Sequence, residues 1–298
     1  MKIEKVAQKL VDRYKIVDGS KFHLKDIDPG ETCDMSKEEA EELVTQGIAV
    51  TQDLQEKLYA QDQWAVLLII QAMDAAGKDG LIKHVMSGVN PQGCDVTSFK
   101  EPSPRELNHD YMWRAVCELP ERGKIGIFNR SYYEEVLVVR VHPELLRKQH
   151  LPPHLVTKNV WKQRFKDMSQ YEHYLAHNGI VVRKFFLHLS KEEQKKRFLK
   201  RIEEPEKNWK FSASDVSERQ HWDQYMEAYE DMVRHTSTEH APWYVVPADH
   251  KWFTRLVVSS AIIQALEECQ PAFPTVDEER RKELEAARKM LEKDQGIG

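Results

Sequence analysis

No apolar run in the 298 residues approaches the roughly 18 positions that a membrane-crossing helix needs, so no membrane partner is expected. The stretch Met1–Tyr14 alternates charge with aliphatics and has no apolar signal core, and the expected location is cytoplasmic. Cysteine is scarce: Cys33, Cys94, Cys117 and Cys269 are far apart with no C-x-x-C pair. That argues against a zinc site or a disulfide framework and predicts reduced packing thiols. Internal repeats and Gly/Ser linkers are also missing, which leaves one large α/β domain with additions, or two modest domains.

Net charge is scarce too, at −5 for 44 bases and 49 acids, and the sum argues against a polyanion ligand. The distribution argues otherwise. Eight acids and one base lie between Glu31 and Glu56, whereas Arg183–Lys210 holds ten bases and five acids. A mildly acidic chain thus carries one concentrated basic segment.

What is present reads as alternating strands and helices. Residues 1–60 are expected to form an N-terminal extension, with a helix from about Ser36 to Tyr59 opened by a Ser36/Glu39 capping box. Trp64–Ile70 is a continuous apolar run suited to a parallel strand buried on both faces. Cys94–Phe99, Lys124–Phe128, Ile180–Leu189 and Trp243–Val246 are further strand candidates. Ser103/Glu106 and Ser190/Glu193 read as capping boxes between them. Strand–helix alternation predicts a parallel sheet with right-handed crossovers. A core at 61–270, with a charged helix at 271–298, completes the expected plan.

After the first core strand comes Gln71-Ala-Met-Asp-Ala-Ala-Gly-Lys-Asp-Gly80. Gly77 and Lys78 match the end of the G-x-x-x-x-G-K-[ST] phosphate loop, while Ala72 replaces its first glycine and Asp79 its hydroxyl residue. The cradle is made of backbone amides at a helix N-terminus, so the first change is tolerable. The second removes a usual metal ligand, for which Asp74 is the expected substitute. At the end of Lys124–Phe128, where a metal-holding Asp would close such a site, Asn129 and Arg130 stand instead. Arg130 has the planar fork that grips phosphate oxygens. Ser131-Tyr-Tyr-Glu134 has capping-box spacing, so Glu134 reads as structural and Glu135 as the carboxylate for chemistry.

With Ala72–Gly80, Gly88–Pro91, Ile127–Val141, Lys184–His188, Glu204–Phe211 and Ala241–Ala248, in that order, the chain resembles the polyphosphate kinase 2 family, class III. The resemblance implies a phosphate-loop nucleoside-triphosphatase-like, three-layer α/β sandwich with a parallel sheet, similar to thymidylate kinase. A helical lid is implied at about 200–215. It also implies Mg²⁺-dependent phosphoryl transfer, with Mn²⁺ as the alternative ion, between inorganic polyphosphate and adenine nucleotides, with guanine nucleotides as a further option. Homodimers or homotetramers are implied, and no nucleic-acid partner. The loop aspartate falls on Asp74, the loop lysine on Lys78, the strand-end arginine on Arg130 and the class-determining asparagine on Asn129. Two departures stand out: Glu135 where Asp is common, and Asn208 where the lid often carries Arg.

The expected catalytic set is Asp74, Lys78, Arg130 and Glu135, with Asp74 and Glu135 holding metal. Asp74, Asn129 and Glu135 are expected at the nucleotide. Phosphate contacts are expected from Ala75, Ala76, Gly77, Lys78, Asp79, Gly80, Lys83, Arg130, Arg140, Arg197, Arg201, Lys207 and Lys210. A polyphosphate chain repeats its charge along its length, so a serial run of bases suits it as it suits nucleic acid. The rivals are an ATP-dependent nucleoside monophosphate kinase, which needs no such run, and a non-catalytic nucleotide-binding module.

Overall fold

A computed structural model describes residues 2–293, with side chains from Gln8 onward. Six strands form one sheet: β1 (Lys15–Ile16), β2 (Ala65–Ala72), β3 (Cys94–Ser98), β4 (Ile125–Asn129), β5 (Ile180–His188) and β6 (Trp243–Pro247). Their order is β1-β6-β5-β2-β4-β3, and every neighbouring pair is parallel except β1 with β6. All eight residues of β2 are buried, as expected for a central strand covered on both faces. Val66, Leu68 and Ile70 face one core cluster, and Leu67 and Ile69 face the other. That two-residue alternation makes the molecule three-layered.

The longer helices are α1 (Lys2–Tyr14), α2 (Lys37–Gln61), α3 (Lys78–Val85), α4 (Val160–His177), α5 (Lys191–Glu203), α6 (Trp222–Thr236), α7 (Lys251–Glu268) and α8 (Glu278–Lys293). Residues of α1, α2, α3 and α7 pack on the first cluster, and those of α4 and α6 on the second. The predicted caps differ in outcome. Ser36/Glu39 and Ser103/Glu106 form reciprocal boxes. Ser190 accepts the Glu193 amide at 3.1 Å, but the Glu193 carboxylate turns instead to Arg197 Nε at 2.9 Å.

The segment read as an N-terminal extension supplies the sheet's antiparallel edge strand, and Leu10, Val11, Tyr14, Ala40 and Leu58 to the core. At the other end α8 buries nothing, and residues 294–298 of the expected C-terminal helix lie outside the described residues. All four cysteines are free thiols; Cys269 is buried as predicted, whereas Cys117 is exposed and packs no core. Among the described residues no helix is long and apolar enough to cross a membrane.

The chain runs from β2 out to β3, back to β4 beside β2, then across to β5 on the other flank of β2. The carboxyl end of β2 therefore lies where the strand order reverses, the position where open parallel sheets hold ligands.

Candidate active site

Between β2 and α3 the loop Met73–Gly77 turns through two positive φ angles, +63° at Ala75 and +104° at Gly77. Glycine takes that region freely, whereas alanine there stores on the order of 1–3 kcal/mol of backbone strain. Gly77 caps α3 without a side chain, so the first amides of that helix stay open to an anion. Lys78 Nζ folds back onto the Ala72 carbonyl at 2.8 Å. Burial lowers its pKa, and the Asp74 carboxylate partly restores it.

Arg130, the first residue past β4, also has positive φ (+63°), and its amide donates to Ile70 at 3.0 Å across the strand ends. Its guanidinium meets Asp74 Oδ1 at 3.0 Å and stands 3.9 Å from Glu134 Oε2. Asp74, Lys78 and Arg130 are thus brought together as the sequence predicts. Asn129 turns from that cluster and donates to Asp79 Oδ1 at 2.8 Å.

The structure places Glu134, and not Glu135, against Arg130. The Ser131 hydroxyl accepts the Tyr133 amide at 3.1 Å and opens a 3₁₀ turn, Tyr132–Val136, so the Ser131–Glu134 box is not formed. Glu134 faces Arg130, and Gln71, oriented with its oxygen on Ser131, donates to Glu134 Oε1 at 2.8 Å. Burial raises the Glu134 pKa, while Arg130 and Lys78 pull it down. Glu135 is buried with Arg164 Nε 3.1 Å from one oxygen and Gln149 donating to the other at 2.7 Å. Its carboxylate is occupied by protein on both sides.

The basic segment divides in the same way. Arg183 and Lys184 are 1% and 0% exposed on β5. Lys184 donates to Glu172 (2.6 Å), the Thr236 carbonyl (2.7 Å) and Tyr133 Oη (3.0 Å), which uses every ammonium hydrogen. Arg197 spends its donors on Glu193 and on four backbone carbonyls, and has none left for a phosphate. Arg140 lies outside the cluster, paired with Asp231 at 2.7 Å. Arg201 ties the Lys210 carbonyl (3.2 Å) and Asp215 (3.4 Å) inside the lid. Lys207 pairs with Glu204, and Lys210 lies 4.9 Å over the exposed Trp209 ring. Lys83 is exposed on α3. Asn208 caps α5 by donating to the Arg201 and Ile202 carbonyls, both at 2.8 Å.

Beside the loop opens a cavity of about 590 Å³. Phe99, Tyr111, Leu137, Val138, Tyr225 and Tyr229 provide apolar wall, and Asp74, Arg130, Glu134 and Glu135 are among its polar lining. Ser214, Asp215 and Glu218, from the short helix Ala213–Glu218, line one side. None of this wall was legible as a pocket, because its residues come from six separate segments.

A parallel sheet with a phosphate-gripping loop at its switch point, a facing arginine and a lid over a nucleoside-sized cavity defines the phosphate-loop kinase class. Residues 34–274 match the family described as polyphosphate kinase 2. The chain is 55% identical over 257 residues to an ADP-polyphosphate phosphotransferase of Rhodopseudomonas palustris, covering 86% of this chain and 89% of that one. It is 42% identical over 266 residues to an AMP/ADP-polyphosphate phosphotransferase of Meiothermus ruber, covering 88% and 95%. The crystal structure of polyphosphate kinase 2 from Arthrobacter aurescens TC1 superposes with a TM-score of 0.86 at 36% identity, over 94% of this chain and 96% of that one. This chain belongs to the polyphosphate kinase 2 family.

Proposed function

We propose that this protein transfers phosphoryl groups reversibly between inorganic polyphosphate and AMP or ADP, giving ADP or ATP. One observation carries the reading: Asp74, Lys78, Arg130 and Glu134 converge at the strand ends beside a cavity of nucleoside size. The Rhodopseudomonas relative is named for ADP and polyphosphate, and the Meiothermus relative for AMP or ADP and polyphosphate. Phosphoryl transfer asks a protein for position and charge more than for covalent chemistry. The loop amides and Lys78 hold the transferred group. Arg130 neutralises the charge that develops on it. The acceptor is already an anionic phosphate, so no strong base is required.

The nucleoside occupies the apolar cavity and polyphosphate the opposite flank of the loop. Lys207 and Lys210 approach that polymer from the lid. Lys251 stands beside the loop, its Cε 3.8 Å from where a Cβ on Gly77 would stand. Burial lowers the Lys251 pKa, and the nearby cations Arg197, Arg255 and Lys200 lower it further, a concentration of positive charge that suits a polyanion. The division into residues 1–60, a kinase core at 61–270 with its lid at about 200–215, and a tail at 271–298 belongs to this reading, as do a cytoplasmic location and a homodimer or homotetramer.

The family points to a divalent metal, and the donor chemistry fits a hard one. Asp74 and Glu134 both face Arg130, and carboxylate donors of this kind suit Mg²⁺, with Mn²⁺ as the alternative; among the described residues no third acid joins them, so phosphate oxygens and water would complete the ion's shell. Glu135, held by Arg164 and Gln149, fits poorly, and we place its expected metal role on Glu134. Bound there, the ion would neutralise phosphate charge beside Arg130.

The test is incubation of AMP or ADP with polyphosphate and Mg²⁺ in the absence of ATP. Formation of ADP or ATP supports the reading. Phosphorylation only when ATP is supplied would instead make this an ATP-dependent monophosphate kinase. Guanine nucleotides belong in the same assay.

A further inference from the structure

The phosphate loop is shaped from behind by one helix. Gln194 Nε2 on α5 donates to the Asp74 carbonyl at 3.0 Å. One turn on, Arg197 Nη1 donates to the carbonyls of Ala75 (3.1 Å) and Ala76 (2.8 Å). Three consecutive loop carbonyls are therefore drawn toward α5. A trans peptide is planar, with its C=O and N–H pointing in opposite directions. Pulling the Asp74 and Ala76 carbonyls toward α5 thus aims the amides of Ala75 and Gly77 away from it, toward the phosphate side. The other half of the guanidinium, Nη2, donates to the carbonyls of Ala248 (2.7 Å) and Asp249 (2.9 Å) just past β6. Arg197 is 8% exposed, and Glu193 fixes its Nε.

We propose that Arg197, seconded by Gln194, is a positioning residue that holds the strained loop in its phosphate-facing form. The inference rests on the phosphoryl-transfer reading above. It departs from the sequence expectation, in which Arg197 touches polyphosphate itself. Lysine cannot replace it, because an ammonium is a point donor and cannot span two pairs of carbonyls as a planar fork does. The element it restrains is the left-handed Ala75, a conformation that alanine leaves readily once released.

The experiment uses the full chain, with ADP, long-chain polyphosphate and Mg²⁺ at two salt concentrations, and a thermal melt for every variant. Arg197→Lys should lower kcat about 10- to 100-fold, since a small misplacement of a catalytic frame costs that much. KM for either substrate should change less than about threefold, and the salt dependence of polyphosphate KM should not move. Adding Ala75→Gly should recover about threefold or more of the lost kcat, because glycine takes positive φ without strain. Should Arg197→Lys not fold, Gln194→Leu carries the test, with about a 3- to 10-fold fall in kcat expected. An unchanged kcat with a lower Tm overturns the proposal and leaves Arg197 a structural strut. A raised polyphosphate KM with a flatter salt slope also overturns it, in favour of direct contact. A wild-type protein inactive with polyphosphate strikes the functional reading and takes this inference with it, whereas an active wild type with unaffected variants strikes this inference alone.

Discussion

Lys184 stands on the central sheet in β5 and Lys78 opens the helix that follows its neighbour β2, and each has a carboxylate near it. Around Lys184 every donor has an acceptor, the paired Glu172 is fully buried, and Tyr132 and Tyr133 both donate to that carboxylate at 2.8 and 2.7 Å. Around Lys78 the charges are half-buried and Arg130 is shared loosely between Asp74 and Glu134. Burial lowers the pKa of both lysines. A saturated buried network specifies a shape and has nothing to offer a ligand. An unsaturated one at a cavity mouth retains capacity for a substrate. For these two lysines, saturation of the ammonium donors separates scaffold from site, and density of charge does not.

The largest effect that would break this comparison lies in the scaffold. Lys184→Met leaves Glu172 buried without its cation and should destabilise the fold by about 3–5 kcal/mol. Lys184→Met with Glu172→Leu should recover much of that loss. Denaturant titration checks both, and a mild single variant would show that the buried pair is not the support it resembles.

At the site the expected effect is on rate. Lys78→Ala, Asp74→Ala and Arg130→Ala should each remain folded and lose on the order of 10²–10³ in turnover with polyphosphate and ADP. Near-wild-type turnover by a folded variant removes that residue from the mechanism.

A finer division concerns the adjacent glutamates. Glu134→Gln should reduce turnover and raise the Mg²⁺ needed for half-maximal rate. Glu135→Gln should mainly lower Tm, through its contact with Arg164. Burial lifts the Glu134 pKa, so its charge is lost at a higher pH than that of an exposed glutamate. Wild-type activity should therefore fall early on acidification, and Glu134→Gln should flatten that limb. The opposite pattern in a joint Mg²⁺ and pH titration would restore Glu135.

The smallest effects belong to the lid. Lys207→Ala or Lys210→Ala should raise the polyphosphate KM a few-fold, leave that for ADP nearly unchanged, and reduce the salt slope by about one. Equal losses for both substrates would point to lid closure instead of contact.

The sequence was most legible where one local pattern meets one environment. Five strands and the Ser36 and Ser103 caps follow from apolar runs and capping spacing. Strand β1 escaped because Lys15–Ile16 is too short to show a period. The Glu134 assignment went astray because Ser-x-x-Glu spacing is the same whether the turn that follows is α or 3₁₀. The basic run misled differently: charge adds along a sequence, but burial depends on neighbours. Arg183 and Lys184 lie on a strand covered on both faces, and Arg197 faces the loop it supports. The Lys251 position could not be read, since 173 residues separate it from Lys78 in the chain.

The Asn129–Asp79 hydrogen bond has an evolutionary consequence. In the usual arrangement the strand end carries the acid and the loop carries a hydroxyl. Here the acid stands on the loop and the neutral side chain on the strand, 2.8 Å apart. Asn129→Asp alone would set two carboxylates against each other, and Asp79→Thr alone would leave the gap with no charge. Either single change would unbalance the pair. The two positions should therefore change together, and the paired swap should outperform both single steps.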